Sequence, residues 1–219
     1  MKQHLSLDHN YKPSSQPNEP APVIIMLHGF GSDENDLFSF ANELPEQYAI
    51  ISLKAPISMQ PSGNAWYNIY FDSTDGKFSD TEQAIKSRDL IKHCIEEIIE
   101  KYNVQKDKIT LLGFSQGTIL SFSVALCYPN KIKNVIGLSG YINKDLLLEG
   151  YEKNDFSSLS IYTSHGSVDQ VIPVDWARKT SPFLNSLNIF NTYSEFPVGH
   201  GVAPQNFYEF KQWLEKVDK

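Results

Sequence analysis

The stretch Thr110–Leu120, TLLGFSQGTIL, decides the fold. It sets one serine between two glycines, as Gly113-Phe114-Ser115-Gln116-Gly117. Ile109–Leu112 before it is a short apolar run of the kind that forms a buried strand. Thr118–Tyr128 after it carries Ile119, Phe122, Ala125 and Leu126, and reads as a helix packing one face. A strand that turns sharply into a helix around a serine presents the hydroxyl at the tip of an elbow. The glycines have a steric reason, since the turn is strained and a β-carbon on either flank would crowd the neighbouring strand or helix. Alone, the motif is weak, because an ordinary solvated serine in a short loop gives the same letters. Its meaning depends on whether a base, an orienting acid and oxyanion donors exist elsewhere in the chain.

Working outward, strands alternate with helices. Val23–Gly29 (VIIMLHG) reads as a buried strand ending in glycine, and Tyr48–Leu53 as the next strand. Between them Asp33–Leu44 reads as a helix capped by Ser32 or Asp33. Lys54–Ser79 reads as a long loop broken by glycine and proline, rich in aromatics (Trp66, Tyr67, Tyr70, Phe71), and loops of that length are more often functional than idle. Asp80–Tyr102 is the longest helix. Ala84, Arg88, Ile91, Ile95, Ile98 and Tyr102 recur on one face, with Arg88 expected at its edge. Asn134–Ser139 and Ser160–His165 read as strands, Val174–Leu187 as a helix, Ile189–Phe196 as a strand and Pro204–Val217 as the last helix. The sheet should therefore be mostly parallel and covered on both faces. Pro13–Pro22 reads as a surface connector, so residues 1–20 contribute an N-terminal strand and connector to one domain spanning 1–219.

The length of 219 residues fits one domain with a large core, and the apolar content of 41% is ordinary for a globular protein. A net charge of −7 argues against a nucleic-acid partner. The N-terminal twenty residues contain no apolar run of signal-peptide length, and no window reaches transmembrane length. A cytoplasmic location without stable membrane insertion is the expectation. Cys94 and Cys127 fall inside helices and read as buried free thiols.

For a serine on such an elbow the partners follow in the order serine, acid, histidine. Only His165 and His200 follow Ser115. His200 lies in PVGHGVAP, the loop after a strand, where the flanking glycines would let the ring reach back over Ser115. His165 ends a strand and reads as a structural hydrogen-bonding residue. Asp169 lies in the loop beyond that strand, at the edge where open α/β sheets gather their ligand groups. Asp175, at a helix start, and Glu195, on a strand, are its rivals. Acyl transfer also needs two N–H groups aimed at the developing oxyanion. The N–H of Gln116, next to the serine and opening a helix, is one. The loop LHGFGSDENDL (Leu27–Leu37) supplies the other at Phe30, with His28 bracing the loop by hydrogen bonding. A metal role for His28 lacks a second histidine or cysteine at ligand spacing.

With LHGFGSDENDL, GNAWYNIYFD, LLGFSQGTILS, HGSVDQVIP and GHGVAP in that order, the chain resembles the phospholipase/carboxylesterase family of small α/β-hydrolases, which includes acyl-protein thioesterases. The resemblance spans about residues 20–215. It implies an α/β-hydrolase fold with no large cap domain, nucleophile Ser115, acid Asp169, base His200, and oxyanion donors at Phe30 and Gln116. It also implies an acyl pocket near the loop holding Trp66 and no cofactor; the aromatic density of that loop makes Trp66, Tyr67 and Phe71 the expected acyl wall, and no metal site is expected. The partner the resemblance implies is a small acyl ester or thioester, and a homodimer is among the states it allows. The chain departs from the family pattern at Ser167, usually aspartate, at Gln170, often proline, and at Ala65-Trp66-Tyr67-Asn68, often Ser-Trp-Phe-Asp. The leading expectation is a serine carboxylesterase working through an acyl-enzyme. An acyl-protein thioesterase or lysophospholipase is the alternative within the class, and a catalytically inactive hydrolase-fold binding protein the alternative outside it.

Overall fold

The computed structural model describes residues 1–72 and 76–218, with the backbone alone at 71–72 and 76–78. A seven-stranded sheet organises it. In chain order its first strands are β1 (His9–Lys12), β2 (Ala21–Leu27) and β3 (Ala49–Leu53). Two small antiparallel ladders follow, β4 (Ile57–Ser58) with β5 (Asn64–Ala65), and β6 (Ile69–Asp72) with β7 (Gly76–Ser79). The sheet then resumes with β8 (Val104–Phe114), β9 (Asn134–Leu138), β10 (Ser160–Gly166) and β11 (Phe190–Phe196). Its order is β1-β3-β2-β8-β9-β10-β11, and only the β1–β3 pair is antiparallel.

Period-two alternation divides the core. Val23, Ile25 and Leu27 of β2 face one apolar cluster, and Ile24 and Met26 face the other. The first cluster lies under α1 (Thr81–Lys101) and α2 (Gln116–Cys127). The α3 (Val174–Ala177) and α4 (Thr180–Ser186) segments come next, and α5 (Pro204–Val217) covers the second cluster through Phe207, Phe210 and Leu214. Among the described residues, no helix is long and apolar enough to cross a membrane.

Several local expectations are corrected. Asp33–Leu44 is not an α-helix; only Leu37–Phe40 makes a 3₁₀ turn. The Asp33 carboxylate accepts the Asn35 N–H at 2.8 Å, and the Ser32 hydroxyl donates to Asp36 at 2.8 Å, so short polar side chains compete with the helical ladder. Val174–Leu187 is split into α3 and α4. Pro182 has no N–H, and its ring would strike the carbonyl of Arg178 in one continuous helix. Lys54–Ser79 carries the two short ladders rather than being bare loop. The α2 helix does not pack one face only, since all its residues are buried between the sheet and α1. Arg88 is not at the edge of its face; it is buried, and its guanidinium donates to the Leu146 carbonyl at 2.6 Å and to Asp89 at 2.8 Å. Burial of so strong a donor is tolerable only with such partners. Cys94 and Cys127 are free and buried.

Candidate active site

The elbow is a steric construction. Ser115 sits between β8 and α2 with φ +53° and ψ −115°, a left-handed value unusual for a residue with a side chain. Its N–H is held by the Leu138 carbonyl at 2.9 Å, at the end of β9. At Gly113 an added β-carbon would lie 2.6 Å from the Gly117 carbonyl group and the Thr118 nitrogen. At Gly117 it would lie 2.6 Å from the Leu27 carbonyl carbon. The strand can turn into the helix this tightly, and the helix can rest on the end of β2, because both β-carbons are missing.

Three side chains converge at the C-terminal edge of the sheet. The Ser115 hydroxyl is 2.9 Å from Nε2 of His200, and Nδ1 of His200 is 2.7 Å from Oδ2 of Asp169. The other oxygen, Oδ1, accepts the N–H groups of Val171 at 2.8 Å and Ile172 at 2.9 Å. Burial pushes the Asp169 carboxyl pKa up. The hydrogen bonds from His200, Ile172 and Val171 outweigh it, so the carboxyl lies below its ordinary value. His165 shares this carboxylate: its Nε2 is 2.9 Å from the Ile172 carbonyl and 3.2 Å from Oδ2 of Asp169. Neither rival joins the cluster. Asp175 and Glu195 are both engaged by Arg178, at 3.0 and 2.7 Å.

The glycines beside His200 are not what brings it to the serine, because a β-carbon at Gly199 or Gly201 would meet nothing within 4 Å. The necessary gap is at Gly166, where a β-carbon would fall 3.0 Å from the Val198 carbonyl carbon and closer to the oxygens of Val198 and Gly199. The His200 loop therefore lies directly on the end of β10.

The Phe30 loop closes over the elbow from the other side. A β-carbon at Gly29 would lie 3.4 Å from that of Ser115. The Gly31 N–H donates to the Asn64 carbonyl at 2.9 Å and the Asn64 N–H to the Ser32 carbonyl at 2.7 Å, so the loop is stitched to β5. Among the described residues, neither the Phe30 nor the Gln116 N–H has a hydrogen-bond partner. His28 sits beneath. Its Nδ1–H donates to the Gly29 carbonyl at 2.8 Å, and Nε2 accepts the Ala55 N–H at 3.1 Å. Burial lowers its pKa, which favours this neutral tautomer.

A cleft of about 420 Å³ opens from Ser115. Tyr67, Ile69, Ile119, Tyr141, Ile172 and Trp176 are among the residues that line it. Of the expected acyl-wall residues, Tyr67 lines this cleft, and burial raises its phenol pKa. The Phe71 side chain lies outside the described residues. Trp66 is corrected: it is 0% exposed, beneath the cleft rather than in its wall, with its indole N–H bound to the His28 carbonyl at 2.9 Å. Tyr141 and Trp176 were not singled out in the sequence. Their signal was positional, since both follow the C-terminal ends of sheet strands, β9 and β10.

A mostly parallel sheet with a serine elbow after β8 and an acid and histidine after β10 and β11 is an α/β-hydrolase fold. Two solved structures share it. The Bacillus cereus carboxylesterase superposes with a TM-score of 0.81 at 17% identity, covering 97% of this chain and 95% of that one. Zea mays acyl-protein thioesterase 2 gives 0.74 at 18% identity, covering 96% and 98%. Residues 12–218 match the phospholipase/carboxylesterase family, and the chain belongs to it. Acyl-protein thioesterase 1 of Candida albicans is 27% identical over 214 residues, 89% of this chain and 91% of that protein.

Proposed function

We propose that this protein is a serine hydrolase that cleaves carboxylic esters or thioesters through an acyl-enzyme. The observation that carries the reading is the continuous chain from Asp169 Oδ2 through His200 to the Ser115 hydroxyl, at 2.7 and 2.9 Å. In this mechanism Nε2 of His200 takes the Ser115 proton as Oγ attacks the acyl carbonyl carbon. The oxyanion forms against the N–H groups of Phe30 and Gln116, and the imidazolium returns its proton to the departing alcohol or thiol. Water then repeats the attack on the acyl-enzyme, with His200 again as base, and releases the acid. Asp169, its second oxygen held by two backbone N–H groups, keeps Nδ1 protonated and turns Nε2 toward the serine. The largely apolar cleft beside Ser115 supports an acyl group as the part of the substrate it takes.

Ester against thioester is a choice of leaving group. The names of the curated relatives favour the thioester of an acylated protein as the second reading. The test is a chain-length series of p-nitrophenyl esters and acyl-thioesters with wild type and Ser115→Ala. Loss of kcat by roughly 10⁴–10⁶ in the alanine variant, with a fluorophosphonate labelling only Ser115, is expected. An alanine variant that keeps turning over substrate overturns the mechanism.

A further inference from the structure

Trp66 is placed where no substrate reaches it, yet it makes hydrogen bonds to both sides of the candidate oxyanion hole. Its indole N–H holds the carbonyl of His28, two residues before Phe30, at 2.9 Å. Its backbone N–H holds Oε1 of the Gln116 side chain at 2.8 Å. Nε2 of the same side chain donates to the Tyr67 carbonyl at 2.7 Å, so Gln116 holds the two-residue segment Trp66–Tyr67 at its first N–H and its last carbonyl. The Ser87 hydroxyl of α1 caps the arrangement on the Trp66 carbonyl. All of these groups are buried. The indole also packs on the His28 imidazole, ring centres 5.6 Å apart, and His28 is itself fixed between Gly29 and Ala55.

We propose that Trp66 is a positioning residue that sets the spacing of the two oxyanion donors. This rests on the mechanism proposed above. The Phe30 and Gln116 N–H groups come from chain segments far apart in sequence, one after β2 and one opening α2. Both must aim at one point, and oxyanion stabilisation depends on donors about 2.7–3.1 Å from the oxygen. The β5 stitching at Gly31 and Ser32 holds the far side of the Phe30 loop. The near side, at His28, has the indole N–H. Because Trp66 also binds the Gln116 side chain, one rigid residue spans the gap between the segments. Buried, fully bonded networks of this kind fix geometry more than they add stability.

Trp66→Phe tests this, since it keeps a buried aromatic ring and every backbone bond while removing the indole N–H together with part of the ring volume, a loss of volume that the Trp213→Phe control shares. Expected is a fall in kcat of ten- to roughly 10²-fold with KM little changed, because the bond acts on the transition state. A trifluoromethyl ketone, whose hemiketal oxygen occupies the oxyanion site, should lose affinity by about the same factor. A purely structural tryptophan would lower Tm and leave that ratio alone. Trp213→Phe is the control. That buried indole N–H has no partner among the described residues, so its removal should leave kcat and the ketone affinity as in wild type. Wild-type kcat and ketone affinity in Trp66→Phe overturn the proposal. If Trp66→Phe does not fold, Ser87→Ala decides by the same pair of measurements. A matched fall in kcat and ketone affinity supports the proposal, and wild-type values for both overturn it. An active Ser115→Ala enzyme would instead remove the mechanism beneath it, whatever Trp66 does.

Discussion

Gly117→Ala sets helix propensity against packing. In an exposed helix the change would stabilise by about 1 kcal/mol. Here the new β-carbon would fall 2.6 Å from the carbonyl carbon of Leu27, nearer still to its oxygen, and 2.8 Å from the His28 oxygen. These are backbone atoms at the end of β2, a strand paired on both sides, so they have nowhere to go. Carbon atoms rest about 3.5–4.0 Å apart, so the first turn of α2 must retreat by roughly 1 Å. That turn carries the Gln116 N–H and Ser115, while Phe30 stays with β2. The gap between the Ser115 hydroxyl and the Phe30 N–H therefore widens, and under the proposed mechanism a misplacement of about 1 Å can cost on the order of 10²-fold in rate. Overpacking adds about 1–3 kcal/mol of destabilisation. For a chain of this size that is a Tm lower by roughly 2–12 °C. The assay is kcat and KM for p-nitrophenyl acetate well below Tm, beside a thermal melt. Gly201→Ala, whose β-carbon meets nothing, controls for adding a methyl group near the site. Wild-type kcat and Tm in Gly117→Ala would refute the account of the elbow.

Asp169→Asn should fold and lose roughly 10³–10⁴ in kcat, because the amide cannot hold the imidazolium. Asp175→Ala, which removes only an exposed partner of Arg178, should stay within a few-fold of wild type, and the reverse ranking would reassign the acid. The acid limb of stability gives an independent reading. The Asp169 pKa is lower folded than unfolded, so its contribution is present above the ordinary aspartate value of about 3.9 and lost as pH falls through the folded value. Chemical denaturation below about pH 4 should show a shallower pH dependence in Asp169→Asn than in wild type, and parallel curves would contradict it.

The parallel sheet was legible because β2, β9 and the Ile109–Leu112 half of β8 are short, largely apolar runs, and because strands alternate with helical stretches along the chain. The positions of Ser115, Asp169 and His200 were legible from chain order, since each follows a strand and parallel strands deliver their C-terminal ends to one edge. What failed was decided by contacts that periodicity does not carry. The 33–44 segment has helical spacing, but Asp33 and Ser32 take local partners that only the folded loop reveals. Trp66 is the clearest case. An aromatic in a long loop near an elbow suggests a substrate wall, and only the partner of its indole N–H shows that it lies beneath the cleft. The glycines were misjudged in a similar way: the flexible-looking pair beside His200 is unconstrained, whereas Gly166, thirty-odd residues earlier, is where the approach is tight.

Two of the departures from the family pattern, Ser167 and Gln170, flank Asp169 without disturbing its placement. Ser167 is half-buried and Gln170 exposed, while Asp169 between them is buried. The loop is pinned by main-chain bonds, from the Ser167 N–H to Phe196, from Val168 to Val198 and from Asp169 to Gly166. Those bonds are indifferent to the side chains at 167 and 170, so the carboxylate keeps its place whichever residues stand there. Directly after it, however, the same loop supplies Val171 and Ile172 and then Trp176 to the cleft. Val171 and Trp176 are about half exposed. Asp169 is thus held in place by main-chain bonds, while the side chains that follow it on the same loop reach the cleft. Exchanging Val171 or Trp176 should therefore alter which ester or thioester is preferred long before it alters the Asp169–His200 contact.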